Sequence, residues 1–333
     1  MVSDHTMIFL RTIGLLLAVA GCALAARAAP PSPFTAAGAG RAPVVLAHRG
    51  IAQAFPSEGL AGDTCTAARI HPPTHDFLEN TIPSLQAAVR AGADVVEVDI
   101  HPTTDGEFAV FHDWTLDCRT NGRGRTRDHG MAALKALDIG HGYTHDGGRT
   151  FPLRGKGVGL LPSLREVLAA LPRQAILLNV KSNDAQEGER LAAWLLSLAP
   201  GQRRFIAVYG GDAPVAVVRA RVQDVLTTSR SQIKACGLRY LVLGWTGWMP
   251  AACQRMLLLL PLNYTHWMWG WPHALVQRLE QAGSAVFVLG RWGGGFTQGL
   301  DTPEDLRSLP AGWQGGIWTD EVQWLGQALG RSR

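Results

Sequence analysis

Residues 94–113 read DVVEVDIHPTTDGEFAVFHD, and the fold of the chain is decided there. From Asp94 to Ile100 the side chains alternate, with Val96, Val98 and Ile100 on one face and Glu97 and Asp99 on the other. A strand has a side-chain period of two, so the two carboxylates share a face about 7 Å apart along the chain. Thr104-Asp105-Gly106 is a turn signal. Glu107–Phe111 then reads as a second apolar strand that delivers His112 and Asp113 at its end. Two like charges on one strand face repel, and they are tolerated on a wet surface or where a cation or an arginine lies between them. The flanking valines and isoleucine look like a strand buried on both faces. That favours a hard-metal site with oxygen ligands and a histidine nearby for proton transfer.

Working outward, Val44–Ala47 is a short apolar strand ending in His48-Arg49-Gly50, followed by a long segment, 51–78, and Glu79-Asn80-Thr81. The spacing predicts a helix from Thr81 to about Gly92, another from the capping box Ser163-Leu164-Arg165-Glu166 to about Leu171, and further helices over 186–198, 213–221, 232–237, 272–282, 303–306 and 322–329. Strands are expected at 175–180, 204–209, 256–262, 285–289 and 316–318. With the three before them these make eight, mostly alternating with helices or long loops. The expectation is a single-domain α/β chain folded as a TIM (β/α)8 barrel over 43–333, with loop insertions after the first and third strands. A doubly wound sheet would put a glycine-rich phosphate loop after the first strand, and there is none.

Composition limits the partners. The 333 residues are 47% hydrophobic and carry a net charge of +4 without a basic run, so nucleic acid is not an expected partner. Arg11 precedes an apolar run, Ile13–Ala20, which marks residues 1–21 as a signal peptide. Val19-Ala20-Gly21-Cys22 has the form of a bacterial lipobox, with Cys22 lipidated and attached to a membrane; ordinary cleavage near Ala26-Arg27-Ala28 is the alternative. Residues 22–42, rich in Ala, Pro and Gly, read as a flexible tether. The expected location is outside the cytoplasm, as a periplasmic or cell-envelope lipoprotein. Four cysteines remain after Cys22. An even number in an exported chain suggests disulfides in one of three connectivities.

In a barrel the chemistry sits at the C-terminal ends of the strands. His48, Arg49, Glu97, Asp99, His112, Asn179 and Lys181 would all converge there. At this point the chain resembles the glycerophosphodiester phosphodiesterase family. The resemblance is carried by His48-Arg49-Gly50, Glu79-Asn80-Thr81, Glu97-x-Asp99, Thr104-Asp105-Gly106, His112-Asp113, Thr120-Asn121-Gly122-x-Gly124, Pro162-Ser163-Leu164 and Thr319-Asp320. It implies a TIM barrel, a divalent cation (Ca²⁺ or Mg²⁺) and hydrolysis of small-molecule glycerophosphodiesters to an alcohol and glycerol 3-phosphate. His48 and His112 would be the general acid and base; Arg49, Lys181 and Glu79 would serve the substrate; Glu97, Asp99 and Asn179 would hold the metal. Two departures stand out. The family's third metal carboxylate is replaced by Asn179, which lacks the charge, and the segment 51–78 is longer than usual and a candidate lid. Alternative functions are a phospholipase D-like hydrolase of lysophospholipid or sphingomyelin, and a catalytically inactive surface-anchored binding protein.

Two further expectations follow. Cys236–Cys253 would close a short loop, and Cys65–Cys118 would tie the 51–78 segment to the loop after His112. The tryptophans at 245, 248, 267, 269, 271 and 292 are either core packing or an aromatic wall of the pocket.

Overall fold

In a computed structural model, residues 31–36, 42–60, 64–293 and 298–331 are described. The expected signal peptide and Cys22 lie outside them. Eight parallel strands form a nearly closed barrel: β1 (Val44–Ala47), β2 (Val95–Pro102), β4 (Ala175–Val180), β5 (Ile206–Gly210), β6 (Leu226–Ser229), β7 (Leu257–Pro261), β8 (Ala285–Leu289) and β9 (Gly316–Thr319). The sheet runs β6-β5-β4-β2-β1-β9-β8-β7, and the single bridge Thr227–Met256 spans the seam. One set of strand side chains fills the barrel, among them Leu46, Leu177, Leu259 and Phe287; the other, including Val45, Val96, Leu178 and Val286, packs against the surrounding helices. Within the segment expected to be a tether, Phe34 and Ala36 are buried with the barrel-filling residues.

The count of eight is right, but one expected member, 107–111, is not in the barrel and an unexpected one takes its place. β3 (Phe108–Val110) lies off the barrel, paired antiparallel with β2 through Ile100–Val110, His101–Ala109 and Pro102–Phe108. The link between them is a tight turn in which Thr103 Oγ1 meets Asp105 at 2.5 Å and Gly106 takes φ 82°. A parallel crossover needs a dozen or more residues, so so short a link permits only a hairpin. The barrel's fifth strand is Leu226–Ser229, which the sequence hides because Leu-Thr-Thr-Ser is not an apolar run. Thr227 and Thr228 are nevertheless fully buried, which suits β-branched side chains in a strand. The second insertion therefore follows the second barrel strand and its hairpin.

The two insertions pack on each other. Ala67, Ile70 and Leu78 from the first share a satellite core with Phe111, Leu116, Leu134, Tyr143, Leu153 and Leu161 from the second. Cys65–Cys118 joins them, with Cα atoms 5.7 Å apart. The segment expected to act as a lid is thus pinned as a wall. The other expected disulfide, Cys236–Cys253, is also formed (Cα–Cα 4.8 Å). Of the six tryptophans weighed as core or pocket wall, Trp271 is half-buried against Trp313, and the other five are 40–67% exposed. Among the described residues no helix is long and apolar enough to cross a membrane.

Candidate active site

The strand period does what the sequence implies. Glu97 and Asp99 are fully buried on the β2 face that carries no other acidic side chain, and every oxygen of the pair has a donor. Glu97 accepts the backbone N–H of Arg49 (3.1 Å) and the Tyr209 hydroxyl (2.7 Å). Asp99 accepts Asn80 Nδ2 (2.9 Å) and Asn179 Nδ2 (2.9 Å), and pairs with Arg49 Nε (3.2 Å) and Lys181 Nζ (3.3 Å). Asn179 and Lys181 are one strand over, where β4 registers Asn179 opposite Asp99.

Two residues reach this cluster through left-handed backbone, Arg49 (φ 58°) and Asn80 (φ 61°), conformations that side chains other than glycine seldom adopt. Each earns contacts from it. Asn80 donates to Asp99 and accepts its N–H at 3.0 Å, and the Asn80 N–H donates to Arg49 O at 2.9 Å. Gly50 follows with φ 79°, and a Cβ there would lie 2.4 Å from Ser84 Oγ, so the turn after β1 closes against the helix Ile82–Arg90 only without a side chain.

Two histidines flank the carboxylates, each tied through Nδ1 to its own aspartate. His48 Nδ1 is 2.6 Å from Asp320 Oδ1, and His112 Nδ1 is 2.6 Å from Asp113 Oδ1. This leaves Nε2 of each ring for chemistry. In His48 it accepts from Arg49 Nε (3.1 Å) and lies 3.8 Å from Glu97; the ring rests on Trp318 with centroids 5.0 Å apart. The environments push the two rings in opposite directions. His112 is lowered to about 4, by burial first and then by the Arg49 charge. His48 is raised: burial and Arg49 work against its proton, but Asp320 and Glu97 outweigh them.

Behind His112 is a network that the sequence does not reveal. Arg119, 2% exposed, pairs with Asp113 (2.9 Å) and Glu79 (3.0 Å) and donates to Tyr143 Oη (2.5 Å) and Thr66 Oγ1 (2.7 Å). Glu79 holds Arg49 with its other oxygen (3.1 Å). Thr66 and Arg119 are the immediate neighbours of Cys65 and Cys118, so the disulfide clamps both ends of one hydrogen bond. Asp113, Arg119, Tyr209 and Asp320 all fall outside the expected site residues. His112-Asp113 and Thr319-Asp320 were legible as motifs, but Arg119 and Tyr209 carry no local signal.

Glu97 and Asp99 would hold a cation. Glu97 is pushed up to about 7 by burial and then by the Asp99 charge, so the pair carries more negative charge than the donors around Glu97 offset. Asp99 stays well below the usual range because Lys181 and Arg49 overcome its burial. Among the described residues no set of three or more His, Cys, Asp or Glu is arranged as a metal site, and Asn179 meets Asp99 through its amide nitrogen. Two carboxylates suit an ion that keeps water or substrate oxygens in its remaining positions, as Mg²⁺ commonly does.

Residues 48–209, which include every expected site residue, match the model of the glycerophosphoryl diester phosphodiesterase family. A glycerophosphodiester phosphodiesterase of Bacillus subtilis is 38% identical over 123 residues, 35% of this chain and 41% of that protein. The human glycerophosphodiester phosphodiesterase 1 is 35% identical over 98 residues, 29% of this chain and 27% of that one. The chain thus spans about two fifths of the bacterial relative's length. Among solved structures, the glycerophosphoryl diester phosphodiesterase domain of an uncharacterized Mycobacterium tuberculosis protein superposes with a TM-score of 0.60 at 19% identity, covering 86% of this chain and 99% of the other. An Oleispira antarctica phosphodiesterase, solved in complex with the product sn-glycerol-3-phosphate, superposes at 0.52 with 19% identity, covering 86% of this chain and 97% of that one. At such identity the superpositions speak for the fold, and the likeness to the glycerophosphoryl diester phosphodiesterase family is carried by residues 48–209, a little under half of the chain.

Proposed function

We propose that this protein hydrolyses glycerophosphodiesters to an alcohol and glycerol 3-phosphate. The observation that carries the proposal is the pair of aspartate-anchored histidines, His48–Asp320 and His112–Asp113, on either side of one cationic and carboxylate cluster at the barrel mouth. The diester is an anion, and Arg49 and Lys181 are the cations nearest the pocket; Arg49 offers a fork of donors, Lys181 a point charge. His112, held neutral by burial and by Arg49, takes the proton from water at Nε2 as the water oxygen bonds to phosphorus. His48, whose protonation Asp320 and Glu97 favour, gives a proton from Nε2 to the leaving alkoxide as the ester P–O bond breaks, in the state in which Arg49 Nε has turned from that nitrogen to the anionic substrate. Each transfer is worth about 10²–10⁴ in rate. A bound Ca²⁺ or Mg²⁺ at Glu97 and Asp99 would supply charge neutralisation for the nonbridging phosphate oxygens.

The test is the purified chain incubated with glycerophosphocholine and with lysophosphatidylcholine, with EDTA and with Ca²⁺ or Mg²⁺ restored, reading glycerol 3-phosphate. Release from glycerophosphocholine, lost with EDTA and regained with the ion, is expected; no release under any of these conditions refutes the assignment. We further propose export to the cell envelope with Cys22 as the lipid anchor. Two disulfides in one domain support an oxidising compartment. Recovery of a Cys22→Ser variant at wild-type level in membranes washed with high salt, which releases electrostatically docked protein, would refute the anchor.

A further inference from the structure

Of the thirteen large hydrophobic side chains exposed on the described surface, ten lie between Leu238 and Trp292. A patch of this kind on a soluble-looking barrel marks an interaction surface. It is built from three segments. The first is the outer face of the helix Arg230–Leu243 and the turn after it, where Leu238 (66%), Val242 (68%) and Trp245 (67%) follow one another at helical spacing. The second is the loop after β7, carrying Trp267 (61%) and Trp269. Trp269 Nε1 donates to Leu241 O at 2.8 Å, which joins the first two segments. The third is the loop after β8, where Trp292 N donates to Asn263 Oδ1 and Asn263 Nδ2 to Trp292 O, both at 3.0 Å. The last two leave the C-terminal ends of barrel strands, the end that carries His48 and Lys181.

We infer that this face docks the protein on an anionic lipid surface. Charge complementarity decides the occupant. From Val225 to Leu279 there is no Asp or Glu, while Arg230, Lys234 and Arg239 stand exposed on the helix, against one carboxylate, Asp212, that accepts Ser231 N at its first turn (2.9 Å). Arg230 and Lys234 are exposed on the same helical row as Leu238 and Val242, so cations and apolar groups share one face. Two copies apposed on it would bring these cations together, which disfavours a homodimer. The patch is also rich in indoles, which suit the lipid–water boundary. Trp245 Nε1 and Trp269 Nε1 already donate to Val242 O (3.1 Å) and Leu241 O, so those rings can leave water without stranding a donor. The inference holds whatever reaction the barrel mouth carries.

The test uses the full chain with phosphatidylcholine vesicles and with the same vesicles containing one third phosphatidylglycerol. Wild type is expected to sediment with the anionic vesicles, less so as salt rises. Trp245→Ser, Trp248→Ser and Trp267→Ser together should lower partitioning at least about tenfold. Lys234→Glu with Arg239→Glu should weaken binding to the anionic vesicles alone. Because no tryptophan precedes Trp114, quenching of tryptophan emission by brominated lipid reads this face and not the N-terminal segment. Quenching in the wild type that falls in the triple variant supports the docking. Absence of quenching in the wild type overturns it. So does quenching unchanged in the triple variant, or a wild-type dimer that the same substitutions dissociate without affecting vesicle binding. All three tryptophans are exposed, so a melting curve unchanged from wild type verifies that the variant is folded.

Discussion

Replacing Arg119 by methionine is the most informative single change in this site. The substitution roughly keeps the volume and removes the charge. Arg119 is the shared partner of Glu79 and Asp113, both in the buried layer behind His112, and it lies 3.0 and 2.9 Å from them. Breaking a buried pair by removing one partner leaves an uncompensated charge and costs about 3–5 kcal/mol. Asp113 keeps only the His112 hydrogen bond, whereas Glu79 keeps Arg49 at 3.1 Å, so most of the loss should come from Asp113. The pH dependence follows from linkage. In the wild type both carboxyls lie below their ordinary 4.5 and 3.8: burial pushes them up, but Arg119, aided by Arg49 at Glu79 and by His112 at Asp113, outweighs it. Their contribution is present above those ordinary values and is lost as pH falls through the folded ones. In Arg119→Met the folded values rise, so the variant's native state gains protons first and the gap between the proteins narrows on acidification. Denaturant unfolding of both proteins at neutral pH and near pH 4 measures this, with Arg119→Lys as a charge-retaining control. A loss below about 1 kcal/mol at neutral pH, or a gap that stays constant or widens in acid, would refute the reasoning.

Four other outcomes are expected. His48→Ala should cut kcat by about 10²–10⁴ on an alkyl diester but far less on a p-nitrophenyl ester, whose leaving group needs no proton; His112→Ala should hurt both equally, and equal losses for His48→Ala would remove it as the acid. The pH profile of kcat/KM should fall on the acid side near 4, as His112 is protonated, and on the alkaline side above 6.5, as His48 loses its proton; reversed limbs in the two variants would exchange the roles. Asn179→Glu should tighten Ca²⁺ or Mg²⁺ binding about tenfold or more in calorimetric titration, because a third carboxylate would stand beside Asp99, and unchanged affinity would place the ion elsewhere. Cys65→Ser with Cys118→Ser should cost about 2–4 kcal/mol in unfolding experiments and lower kcat by loosening the Thr66–Arg119 bond, whereas loss of stability with kcat intact would separate the clamp from the site.

What the sequence determined by itself is what depends on short-range geometry. Alternation along 94–100 puts Glu97 and Asp99 on one face whatever surrounds the strand, and strand order with helices between implies a barrel that gathers His48, His112 and Lys181 at one end. The disulfides were legible as well, Cys236–Cys253 because it closes a short loop and Cys65–Cys118 because the strand assignments put both of its ends at one face of the barrel. The tertiary structure decided the rest. Leu226–Ser229 became a barrel strand because β5 on one side and the Met256 bridge on the other select it, not because its residues are apolar. Asp320 came to His48 across 272 residues, and Arg119 found its role only once the two insertions shared a core, because a buried charge is defined by partners drawn from Thr66, Glu79, Asp113 and Tyr143. The tryptophans show the same limit from the other side. The 238–271 stretch is apolar nearly all round, so periodicity cannot say which face is covered; only the packing of the helix Arg230–Leu243 and the loop after β7 leaves four of its indoles in water.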